Sequence, residues 1–91
     1  MSLASEVTTW RETIVARSGT DPPTVRFRSR VRTNAGPERF KRRLEGLGLL
    51  GFVESIERYH TDWHWTGTGQ GYEIVWRDTA TVADLLPLAR L

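Results

Sequence analysis

The chain contains no cysteine, which excludes disulfide staples and thiolate zinc sites. Long apolar runs are missing too. None approaches the ~18 residues that a membrane-spanning helix needs. The first residues, Met1 to Glu6, lack the basic-then-apolar order of a signal peptide. The expectation is therefore a cytoplasmic protein with no membrane association. Repeats, linkers and low-complexity tracts are also absent, and 91 residues are too few to split into two self-sufficient cores. A single α+β domain over residues 1–91 is expected. Lysine is nearly absent: Lys41 stands alone among 13 cations, the rest being arginine.

What is there is unevenly placed. Between residues 11 and 43 lie ten cations and three acids, whereas residues 44 to 91 carry three cations and seven acids. Such a split calls either for an anionic partner or for pairing between the two halves of the chain.

Leu3, Val7, Trp10 and Ile14 recur at helical steps, which predicts an N-terminal amphipathic helix ending at Ser18-Gly19, before a turn at Asp21-Pro22-Pro23. From Thr24 to Thr33 the sequence alternates strictly, a strong strand signal. Val25, Phe27 and Val31 face one side with Ser29 among them; Arg26, Arg28, Arg30 and Arg32 face the other. Pro37 opens a second helix with Phe40, Leu44 and Leu47 on its apolar stripe. Phe52 to Trp65 reads as a strand with a bulge or break, because Val53 and Tyr59 differ in parity from Phe52 and Ile56. Thr66 to Gly71 is expected to be a hairpin loop leading into a strand over Tyr72–Arg77. Thr81 and Asp84 then cap a last helix that Pro87 kinks or ends.

The order α-β-α-β-β-α predicts an α+β fold: a three-stranded, largely antiparallel sheet with helices on one face. Its β-α-β-β-α part resembles a ferredoxin-like split βαβ lacking a last strand. The alternative is a winged helix. The run Leu44-Glu45-Gly46-Leu47-Gly48-Leu49-Leu50-Gly51-Phe52-Val53 looks like the helix-to-wing passage of winged-helix regulators, making Pro37–Leu47 the recognition helix.

Four guanidinium groups on one strand face repel one another unless something anionic lies across them. Arg26, Arg28, Arg30 and Arg32, extended by Arg39, Lys41, Arg42 and Arg43, are therefore the candidate track for a nucleic-acid backbone. Trp63 and Trp65 are the candidates for stacking on bases, with Tyr59 and Trp76 also in reach by sequence. The competing reading pairs the ladder internally with Glu54, Glu57 and Glu73, leaving a protein–protein interaction module that meets an acidic surface with the basic face or docks by the N-terminal helix. Exposed sheet edges also invite a homodimer.

His60-Thr61-Asp62-Trp63-His64 invites a metal-dependent enzyme, but His60 and His64 lie ~13 Å apart along an extended strand, too far for one ion. No Ser/His/Asp set is recognisable. The expectation is a non-enzymatic binding domain with no metal and no cofactor.

Overall fold

The computed structural model describes residues 3–14, 22–63 and 67–91, and the side chains of all of these except 61–63, 67 and 68. The expected helix stop at Ser18-Gly19, Asp21 of the expected turn, and Trp65 lie outside the described residues. The elements run β1 (Glu6–Ile14), β2 (Thr24–Arg32), α1 (Pro37–Gly46), a 3-10 turn (Leu50–Phe52), β3 (Val53–Trp63), β4 (Gly67–Trp76), α2 (Val82–Leu85) and a 3-10 segment (Leu86–Arg90). The protein is a small α+β fold built on an antiparallel four-stranded sheet of order β1-β2-β4-β3. None of the described helices is long and apolar enough to cross a membrane.

Two expectations are corrected. The N-terminal segment is a strand. Its helical spacing is outweighed by Val7, Thr8, Thr9, Thr13 and Ile14, all β-branched and stiff at χ1, which suit a pleated surface better than a helix. The sheet accordingly has four strands where three were expected, and the first helix of the winged-helix alternative is replaced by a strand. The second correction concerns the glycines. Gly67, Gly69 and Gly71 belong to β4, paired with Trp63, Thr61 and Tyr59 of β3.

The rest follows the sequence closely. β2 and β3 both run antiparallel to β4 and so parallel to each other, joined through α1 with β4 between them. The expected irregularity in β3 is a register shift between Val53 and Ser55. Helix α1 begins at Pro37 and closes with a Schellman motif: the Leu49 N–H donates to the Leu44 carbonyl at 2.9 Å and the Gly48 N–H to that of Glu45 at 3.0 Å. Gly48 holds φ at 74°, where a Cβ is strained. Gly48→Ala is expected to cost about 1–2 kcal/mol, read as a lower denaturant midpoint with an unchanged slope. At the other end Thr81 and Asp84 form a full capping box, and Pro87 lies in the 3-10 segment into which α2 passes.

Both helices pack on one face of the sheet. Phe40 of α1 is fully buried and stacks on Tyr72 of β4, with centroids 4.2 Å apart. Leu85 and Leu88, also buried, line a groove with Val7 and Phe27 of the same sheet face. Val31, Ile74, Trp76, Leu44, Leu49 and Leu91 complete this core. Ser29, the one polar residue on the apolar side of β2, is fully buried for a reason. Its Oγ accepts from the Trp76 indole at 2.8 Å and bonds the Thr9 hydroxyl at 2.8 Å, linking β1, β2 and β4.

Candidate functional site

Among the described residues, the opposite sheet face carries no helix. Because directly paired residues share a face, the registers place Glu6, Thr8, Trp10, Glu12 and Ile14 of β1 there beside the four arginines of β2. Glu73 and Val75 of β4 and Ser55, Glu57 and Tyr59 of β3 complete it.

The arginine ladder does not stand unmatched on that face. Arg26 is ion-paired with Glu54, which the register shift in β3 brings to this side. Arg28 donates to Glu12 at 2.7 Å from one amino group and to Glu73 at 3.1 Å from the other. Arg30 grips the second oxygen of Glu73 through Nη2 at 2.5 Å and Nε at 3.1 Å. Glu73, in the middle of the sheet, thus bridges two arginines. Arg32 has no ionic partner among the described residues, although Glu6 lies opposite it in register. Three of the four arginines are therefore paired with three carboxylates, Glu12, Glu54 and Glu73, while Glu6 and Glu57 lie on the same face by register. Each pair is partly open to water and is worth at most about 1 kcal/mol; what matters is the charge they cancel.

Arg28 shows the effect most clearly. Its pKa is raised above the ordinary arginine value, first by the hydrogen bond to Glu12, against the lowering effect of burial, and then by the charges of Glu12, Glu73 and Glu57. A value raised in the folded state gives stability that is complete below the ordinary pKa and fades only as pH climbs through the raised one. This pairing therefore holds at every neutral pH.

Aromatic residues sit within the lattice. Trp10 lies opposite Arg28 and is half-buried. Tyr59 lies opposite Gly71, and the Arg30 guanidinium rests 5.1 Å from the Tyr59 ring centroid. Trp76, the other aromatic in reach by sequence, is fully buried on the helix-covered face and is not available for stacking. Trp63 falls in β3 opposite Gly67, but its side chain is outside the described ones.

The structure separates the second group of cations from the first. Arg39, Lys41, Arg42 and Arg43 belong to α1, which packs on the other side of the sheet, so the two groups form no continuous track. Arg43 donates to the Arg90 carbonyl at 2.7 Å; Arg39, Lys41 and Arg42 are exposed and have no carboxylate partner among the described residues. Arg32 of the first group and Arg39 of the second border one polar cleft of about 650 Å³, with Ser5, Asn34 and Gln70.

No family model matches this chain, and no curated protein or solved structure is significantly similar to it. Among the described residues no three His, Cys, Asp or Glu side chains gather as a metal site. His60 is exposed in β3 opposite Gln70, and the Asp62 side chain and His64 are outside the described residues.

Sequence reasoning missed Glu6, Trp10 and Glu12 as members of this face, because a helical reading of β1 removed them from the sheet. A signal was available. Glu6 and Glu12 differ by an even number, as do Trp10 and Ile14, and all four share one parity.

Proposed function

We propose that the chain is a small protein-binding domain that presents its open sheet face to a folded partner of mixed charge. One observation carries this reading: the arginine ladder is met by carboxylates from all three other strands. A polyanion would have to displace Glu12, Glu54 and Glu73 before reaching the guanidinium groups, leaving those carboxylates unpaired beside it. A protein surface bearing both signs can extend the lattice without displacing anything. Trp10, Tyr59 and arginine are also the residue types enriched where protein interfaces are tightest. In this reading the sheet is a ferredoxin-like one in which β1 fills the place of the missing last strand.

The test compares variants of the open face and of α1. A partner captured by the wild-type protein and purified is expected to bind Val75→Glu at least about tenfold more weakly, since a central charge then replaces an apolar contact. Arg42→Glu is expected to bind it normally. Oligonucleotide binding that vanishes in an Arg28→Glu/Arg30→Glu double variant overturns the proposal.

A second reading rests on Arg39, Lys41 and Arg42, which have no carboxylate partner among the described residues, together with Arg32. These four suit a nucleic-acid backbone independently of the ladder. With about 0.9 units of log-log salt slope per phosphate contact, their engagement gives a slope near −3.6 on duplex DNA, roughly halved in Arg39→Ala/Arg42→Ala.

A further inference from the structure

The two edges of the sheet differ in how they are protected. β3, at one edge, carries the register shift between Val53 and Ser55, a feature that twists an edge and discourages pairing. β1, at the other, pairs with β2 without a shift over nine residues and contains neither proline nor lysine. Its outer row of backbone groups is a ready template for another strand.

Alongside that edge runs an apolar groove of about 460 Å³, lined by Val7, Thr9, Phe27, Val82, Leu86 and Leu88. Val82 and Leu86 are 63% and 67% exposed, the most open large apolar residues described. A strand edge that no other described strand covers and exposed apolar side chains therefore occupy one side of the molecule.

The geometry points to a second copy of this chain as the occupant, paired antiparallel through β1 about a two-fold axis at Trp10. The charges of β1 select this register. Centring the axis on Arg11 or Glu12 sets each of these against itself, and centring it on Thr9 sets Glu6 against Glu12. With Trp10 at the axis, all nine residues overlap and no like charges meet. Glu6 faces Ile14, Val7 faces Thr13, Thr8 faces Glu12, and Thr9 faces Arg11 of the second copy. The two four-stranded sheets then join into one of eight strands, with the apolar groove at the seam. This inference concerns the outer edge of β1 and stands apart from any partner of the open face.

Sedimentation equilibrium with the Thr8→Glu variant tests it. Within its own chain Thr8 lies opposite Arg30, so the introduced carboxylate favours the fold. Across the axis it opposes Glu12 of the second copy, twice per dimer. The dimer is expected to weaken about tenfold, at roughly 0.2–1 kcal/mol per like-charge contact, while the melting temperature of dilute protein holds or rises. In the wild-type protein, amide exchange along β1 is expected to slow as concentration increases. A wild-type protein that stays monomeric into the high micromolar range overturns the proposal. So does a dimer that ignores Thr8→Glu and is broken by Tyr59→Glu on the open face.

Discussion

Trp76→Ala is expected to remove about 3–5 kcal/mol of folding stability, the range for large-to-small changes at fully buried aromatic positions. A domain of this length holds only some 5–15 kcal/mol in total, so the variant should melt more than about 10 °C below the wild type. Two losses combine. The indole is fully buried in the core, and its removal leaves a cavity between the sheet and the helices. Its N–H also holds the Ser29 hydroxyl, which bonds Thr9 in turn. Trp76→Phe separates the two, since it keeps most of the volume and loses only the donor. Its expected cost is about 1–3 kcal/mol, and a cost equal to that of Trp76→Ala would refute the shared role. Thermal and urea denaturation read both variants.

Gly71→Ala is the second large effect, and it is less obvious because Gly71 lies in a strand at an ordinary backbone angle. A Cβ there overlaps the Val31 carbonyl oxygen and comes within 2.9 Å of its carbon and 3.0 Å of the Arg32 Cα. These are backbone atoms of β2, so relief requires moving the strand. β4 lies between β2 and β3, and any shift disturbs both neighbours. About 3 kcal/mol or more is expected, the upper end for overpacked sites. The Arg30–Tyr59 contact above Gly71 should loosen with it. Loss of ring-current shifts on the arginine side chain reports that by NMR, and a Gly71→Ala protein as stable as the wild type would sink the account.

How much of this was legible depended on whether neighbouring signals agreed. In β2 the alternation, the β-branched residues and the flanking turns all pointed one way, and the strand spans Thr24–Arg32, one residue short of the reading to Thr33. Pro37 and the apolar stripe of Phe40 and Leu44 did the same for α1. In β1 the apolar spacing favoured a helix and the residue types favoured a strand. The strand prevailed because pairing with β2 satisfies its backbone and buries one side of Val7. The glycines of β4 read as a loop because glycine weakens isolated strands. Here pairing with β3 holds them extended, and at Gly71 the fold uses the missing side chain for close approach. The positive half of the candidate site was legible in full and its negative half in part. Glu54 and Glu73 were visible as possible counter-ions, and both serve; Glu12 was hidden by the helical reading of its segment. Cross-strand neighbours are set by register, which no local pattern specifies.

The start of β1 is also tied to the far end of the chain. The N–H groups of Leu3 and Ala4 donate to the Leu91 carbonyl at 2.8 and 3.1 Å, and Leu91 is buried. Contacts between segments so distant in sequence form slowly, since a long loop must close before they are rewarded. The junction of Leu3 and Ala4 with Leu91 should thus form late as the molecule folds, after the local pairing of β1 with β2, and should part early when it opens. Of the four strands, the one with the bare edge is then the one whose attachment a single C-terminal residue helps to govern.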